Sequence, residues 1–251
     1  MPAPHCAAMT AFFFAASRQR GAAAIEFAVA GAMVLLMGLL GIEAARWQAV
    51  RQMAHVALME AARAGATAHA QPAPMRDAFI QGLLALHAGA DGEAGARRRL
   101  ARAHADASAG TGLGAWRIEV LQPNVRMFRD HGRKDLAVPA APGRRAIDND
   151  YQDLQHARRP PRPGAATIFD ANTLKLRLTY LHKPWLFPVR AVLAALGRND
   201  ASYAGVARRH GLLPIHVELE MEMHTHPVDW TGARPRSAEI VMGACRDARC
   251  D

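Results

Sequence analysis

Six titratable side chains alternate along one short stretch near the C-terminus: His216, Glu218, Glu220, Glu222, His224 and His226. Apolar Ile215, Val217, Leu219, Met221 and Met223 fill the positions between them, so the pattern is that of a strand with one wet and one dry face. Alternate strand residues stand about 6.5–7 Å apart, which lets two neighbours share a metal ion if another strand supplies further ligands. The competing expectation is pairing with Lys175 and Arg177 on another strand, since opposite charges across a ladder contribute about 0.2–1 kcal/mol each. No HExxH, paired-cysteine zinc pattern or GxxxxGK loop is present, and no serine sits in a nucleophile elbow. The residues therefore point away from an enzyme. Of the three cysteines, Cys6 is near the N-terminus, whereas Cys245 and Cys250 are separated by only Arg-Asp-Ala-Arg. A pair that close in an oxidising compartment favours a disulfide, and such a short loop limits the gain to the order of 2 kcal/mol.

A second constellation lies at the other end of the chain. Arg18, Arg20 and Gly21 precede the run Ala22–Ile42, in which Glu26 is the only charged residue. At about 1.5 Å per residue the run makes a helix of roughly 30 Å, enough to cross a bilayer. A carboxylate at such a place is costly unless paired, and is a functional residue by default. Small residues and basic charges stand before the apolar run rather than after it, the reverse of a secretory signal, which suggests a cut that leaves the helix in the mature protein. Basic residues ahead of the helix favour a cytoplasmic N-terminus; Arg46 and Arg51 beyond it weaken that signal. The formal charge of +9 comes almost wholly from scattered arginines, since only Lys134, Lys175 and Lys183 are lysines, and gives no sign of a nucleic-acid partner. Arg97, Arg98, Arg99 and Arg102 form a solvated basic face or a headgroup contact.

The elements that must carry these residues read as follows. Residues 43–70 extend the membrane helix, with Val50, Met53, Ala57, Ala61, Ala64 and Ala68 forming an apolar stripe. Helices are expected at Met75–His87 and Asp91–Ala107, and a strand from Trp116, where Ile118 and Val120 alternate with Arg117 and Glu119. Residues 131–168, rich in Pro, Arg and Gly, read as a long exposed loop. A strand follows with Leu174, Leu176, Leu178 and Tyr180 on one face and Thr173, Lys175, Arg177 and Thr179 on the other. A short helix between Pro184 and Asp200, and an edge strand at Ala238–Met242, complete an α+β chain whose antiparallel sheet is covered by helices.

The sequence Arg18-Gln-Arg20-Gly21-Ala-Ala-Ala-Ile25-Glu26-Phe27 resembles a type IV prepilin processing site, and more narrowly that of the TadE-like pseudopilins of the Tad (tight adherence) system. The blocks Val120–Phe128, Ala146–Asp150 and Ile168–Tyr180 are similar to recurring blocks of larger members, in the same order, so the resemblance spans roughly 18–226. The family's IPND-like block here reads Ile147-Asp-Asn-Asp150, and Asp106-Ala-Ser108-Ala-Gly110 misses the DxSxS signature of adhesion domains in related proteins. Glu60-Ala-Ala-Arg63-Ala-Gly65-Ala resembles an Ala- and Gly-rich turn of that family. The resemblance implies a pilin-like fold with a leader (1–21), a membrane helix (22–42), a helical region (43–110) and a sheet domain (111–251). It implies processing and assembly at Gly21, Ala22, Glu26 and Phe27, and no cofactor. Its partners would be a prepilin peptidase, other Tad pseudopilins, the major Flp pilin and the inner-membrane Tad machinery. The protein would sit in the bacterial inner membrane with its C-terminal domain in the periplasm, or enter the pilus. Two other readings stand beside it: a pseudopilin of a type II secretion or DNA-uptake filament, and a signal-anchored periplasmic metal-binding protein using the His/Glu strand.

Processed protein from a host with active prepilin peptidase should begin at Ala22, and Gly21→Leu should accumulate as precursor. N-terminal sequencing that finds an intact start at Met1 or Met9 contradicts the processing-site reading.

Overall fold

A computed structural model describes residues 20–231 and 239–250, with side chains from residue 24 onward. Residues 1–19 of the segment expected as a leader, with Cys6, and part of the stretch before the last strand lie outside the described residues. The chain divides into two compact units, Met1–Ile42 and Glu43–Asp251. One helix, α1 (Arg20–Thr67), supplies the described part of the first unit and opens the second. Its first half is long and apolar enough to cross a membrane by length and composition. Apart from half-exposed Gly31, every side chain from 24 to 42 is exposed.

Beyond Ile42 the same helix becomes one-sided. Val50, Ala54, Ala57, Leu58, Ala61, Ala62 and Ala66 are buried at three- and four-residue spacing. Of the expected stripe, Met53 and Ala64 are only half-buried, and Ala68 falls past the helix end. The difference is a rotation of the buried face toward Ala54, Leu58 and Ala62, where small residues admit close neighbours. The Ala- and Gly-rich segment expected as a turn is helical, and its Gly65 packs under Met75 and Leu174. The reversal comes just after it, where His69 and Ala70 both adopt positive φ. For non-glycine residues that conformation needs outside support. Thr225 Oγ1 accepts from the His69 N–H, and Trp230 Nε1 donates to the His69 carbonyl.

Pro72 then starts α2 (Pro72–Leu83), a position where its missing N–H costs nothing. A 3-10 turn (Leu84–His87) leads to α3 (Gly92–Ser108). Strand β1 (Trp116–Gln122) is followed by α4 (Val125–His131), capped by Asn124. The region expected as a bare loop contains β2 (Gly132–Arg133), β3 (Ala146–Ile147) and α5 (Gln152–Arg158). It is held in place because Val138, Ala141, Ala146, Val228 and Trp230 form a small buried cluster of their own. After α6 (Ile168–Ala171), with a Thr167/Asp170 capping box, come β4 (Thr173–His182), α7 (Phe187–Leu196), α8 (Tyr203–Arg209), β5 (Leu213–Glu222) and β6 (Ile240–Met242).

Among the described residues the main sheet has the order β5-β4-β1-β6. The pairs β5/β4 and β4/β1 are antiparallel, but β6 runs parallel to β1. The sheet is thus mixed at one edge. Leu174, Leu176, Leu178, Trp116, Ile118 and Val120 form its dry face, which packs into one core with α1, α2 and α3. Phe79 meets Trp116 there with ring centroids 4.5 Å apart. At Gly82, an added Cβ would lie 2.8 Å from the Ala57 Cα, so α2 touches the backbone of α1.

That contact generates a test. Gly82→Val should lower the unfolding free energy by about 1–3 kcal/mol through overpacking against a backbone that cannot yield. Chemical denaturation of the detergent-solubilised full chain measures it; unchanged stability contradicts the close α1–α2 approach.

Candidate functional site

Gly21 and Ala22 lie in the first turn of α1, and Glu26 and Phe27 follow on the same helix. Glu26 is exposed and Phe27 is 79 % exposed. Residues four apart share a helix face, so the amide of Ala22 and the Glu26 carboxylate fall on one side. An added Cβ at Gly31, Gly38 or Gly41 would meet nothing within 4 Å, so these glycines answer to no packing demand of this chain. The first half of α1 is an apolar cylinder with one carboxylate on its wall.

The six alternating His and Glu residues take several separate environments. Register places Lys175 opposite Glu220 and Arg177 opposite Glu218. Lys175 Nζ donates to Glu220, and Arg177 Nε donates to Glu218 Oε1 at 2.7 Å. The hydrogen bond from Arg177 holds the Glu218 carboxyl below its usual range, and the bond that Lys175 donates to Glu220 raises the pKa of its ammonium. His216 lies against Thr179 Oγ1 at 3.1 Å. Its pKa is lowered by burial first, then by Arg208 and Arg177. Glu222 and His224 are exposed, with Glu222 opposite Thr173.

Only His226 of the six joins a group of potential metal ligands, with Asp148 and Asp150, whose ligand atoms lie within 4.8 Å of one another. Two of the three are already engaged. The Asn149 N–H donates to His226 Nδ1 at 3.0 Å, so a neutral ring carries its proton on Nε2 and has no second lone pair for a metal. Asp148 Oδ1 accepts from the Asp150 N–H and Oδ2 from Arg133. The arrangement locks the Asp148-Asn149-Asp150 turn onto the chain after β5.

Alternation marked Arg117 and Glu119 as outward-facing, yet both are 5 % exposed. The C-terminal segment lies over them. Arg117 donates to the Asp247 and Ala248 carbonyls at 2.6 and 2.7 Å, and Glu119 Oε1 accepts from the Cys245 N–H at 2.8 Å. Burial lowers the Arg117 pKa, against the opposing pull of Tyr203, Glu119 and Asp247. The Tyr203 N–H donates to the Arg246 carbonyl, tying the tail to α8. Cys245 and Cys250 are joined by a disulfide that closes this clasp, with Cα atoms 6.1 Å apart. Alternation reports which face a residue occupies, and nothing in it reveals a distant segment that covers the face.

A further polar node was missed because its members are far apart in sequence. Glu43, the first residue of the second unit, is buried. Its Oε2 accepts from the Trp185 N–H at 3.0 Å, and its Oε1 lies 3.5 Å from His182 Nε2 and 3.6 Å from Arg46 Nη1. Burial and then the Arg46 charge lower the His182 pKa, with Glu43 pulling the other way. The Arg46 guanidinium stacks 3.2 Å from the centre of the Trp185 ring. Beside the node is a cleft of about 610 Å³ lined by Arg46, His87, Tyr180, His182, Lys183 and Arg190 among others.

Comparison with protein-family models, with curated proteins and with solved structures finds no match to the chain.

Intact mass of the oxidised protein should rise by two hydrogens on reduction, and amide exchange at Cys245 and Tyr203 should quicken as the clasp opens. Full labelling of both cysteines without reductant contradicts a closed clasp.

Proposed function

We propose that the chain is a membrane-anchored pseudopilin of the TadE-like kind, acting in assembly of a Tad/Flp pilus through packing of its helix and its exported domain. The observation that carries this reading is the lone Glu26, exposed on an otherwise apolar helix and the fifth residue after the Gly21–Ala22 bond. Cutting that bond creates an ammonium at Ala22. The glutamate can pair with its own N-terminus or with that of an adjacent subunit, and either pairing offsets the cost of a carboxylate in lipid. Only the second makes Glu26 a device for assembly. Glycines 31, 38 and 41, open to their surroundings, suit the close approach of a neighbouring helix in a membrane or a filament core.

The surfaces described above fit packing better than catalysis. The strand carboxylates Glu218 and Glu220 are held in ion pairs, and the Asp148/Asp150/His226 group holds a turn. On this reading the N-terminus lies in the cytoplasm and residues 43–251 in the periplasm. A prepilin peptidase, sister pseudopilins, the major pilin and the inner-membrane machinery are the partners, and the protein has no catalysis of its own.

Glu26→Gln keeps the side chain's size and removes its charge. The variant should be cut and inserted normally, because the peptidase acts before any neighbour is met, yet should reduce surface pili to the level of a deletion strain. Wild-type piliation at wild-type protein abundance contradicts an assembly role for the charge.

A further inference from the structure

A surface helix of a water-soluble domain turns its polar side outward. α7 does the opposite. Its exposed positions are Phe187, Pro188, Ala191, Val192, Ala195 and Leu196, two rows at four-residue spacing with no polar side chain among them. Leu193 is its buried residue, and Val189, Arg190 and Ala194 are half-buried. Trp185, just before the helix, is 68 % exposed, and Phe187 is 71 % exposed. The helix thus presents an unpartnered apolar face, and the rest of the fold restricts what can cover it.

The restriction is the Glu43 node. Glu43 follows Ile42, the last residue of the apolar run, and its carboxylate holds the Trp185 N–H at 3.0 Å. Arg46, one turn further along, covers the Trp185 ring. Trp185 is therefore tied within a few side-chain lengths of the point where the chain leaves the apolar run, and α7 starts two residues later. Tryptophan, lysine and arginine are the residue types that favour the membrane–water boundary. From Lys183 to Arg198 the chain carries Lys183, Arg190 and Arg198 and no acidic residue. An apolar face rimmed by positive charge, close to a membrane crossing, has the chemistry of an interfacial helix on an anionic lipid surface.

We propose that Trp185 and α7 form a second membrane contact, in which the exposed face of α7 lies in the headgroup region of the leaflet from which residues 22–42 emerge, and Lys183, Arg190 and Arg198 meet lipid phosphates. The proposal rests on residues 22–42 spanning the membrane, and stands independently of the pilus assignment. A second protein on the same face is the competing occupant. It is disfavoured because a patch tethered at the bilayer boundary meets lipid first, and because the face offers no hydrogen-bonding side chain to confer specificity.

The test uses the full chain carrying Cys6→Ser, with the Cys245–Cys250 bridge left oxidised, in vesicles of phosphatidylethanolamine and phosphatidylglycerol. Nitroxide labels are placed singly at Val192→Cys, Leu196→Cys, Leu36→Cys in the span, and Lys134→Cys on an exposed loop. Labels at 192 and 196 should meet oxygen in preference to a water-soluble nickel chelate, at a depth of about 5–10 Å, while the label at 134 shows the reverse preference. Labels at 192 and 196 that behave like the one at 134, with 36 in lipid, overturn the contact and leave the span standing. A water-exposed label at 36 removes the span, and the proposal with it. Labels at 192 and 196 shielded from both relaxants, with dipolar broadening that grows with protein density, overturn the proposal in favour of a second copy on this face.

Discussion

A single run of helical hydrogen bonds joins a half long and apolar enough to cross a membrane to a half that builds a core. From Arg20 to Thr67 the backbone of α1 satisfies its own donors and acceptors, the condition for crossing hydrocarbon. The side chains around it change from apolar on every side to apolar on one side at the Ile42–Glu43 junction. The core of the second unit is built on that one-sided half. Alanines at 54, 57, 61, 62 and 66 leave room for α2 to reach the helix backbone at Gly82, and for Leu174 to reach it at Gly65. Larger residues there would bury more area per side chain, but would push the sheet away from the helix that carries it. The chain gives up bulk in exchange for closeness, and Phe79, Trp116 and the leucines of β4 restore the buried volume.

The charges of the second unit follow from how each is covered. On the open face of the sheet, Lys175–Glu220 and Arg177–Glu218 neutralise one another in register and remain wet enough to contribute little to stability. Arg117 and Glu119 are dry, and depend on backbone groups of a tail that a disulfide holds closed. Uncovering a partner of a buried charge is costly, about 3–5 kcal/mol for a fully buried pair, so the tail is part of the fold and not an appendage.

Strands β4 and β5 were legible because eight residues of alternation in each, at 173–180 and 215–222, specify which face is dry. The long apolar run at 22–42 was legible for a different reason: charge is so costly in lipid that a run holding a single glutamate stands out from an ordinary helix. What stayed hidden was set by contacts distant in sequence. Ala146 and Ile147 are too few to show a period, and are ordered by Val228 and Trp230. Ile240–Met242 reads as a strand, but three residues do not encode direction, and the route after β5 brings them alongside β1 in parallel. A short apolar segment such as Phe187–Leu196 reads as helix, yet only its anchoring through Trp185 and Glu43 shows that its apolar side faces outward. His226 was marked for its type and alternation. Its actual partner, the Asn149 amide, comes from a region whose order the composition concealed.

The central claim is that the exposed wall of the apolar helix around Glu26 is a contact surface for another subunit. It is tested most directly by placing a photo-reactive phenylalanine analogue at Phe27, beside the carboxylate and 79 % exposed, and irradiating cells that are assembling filaments. The account predicts a discrete protein adduct whose second peptide, identified by mass spectrometry, comes from the apolar N-terminal helix of a filament-forming subunit. Adducts to lipid alone, at wild-type abundance and in filament-bearing cells, would contradict it.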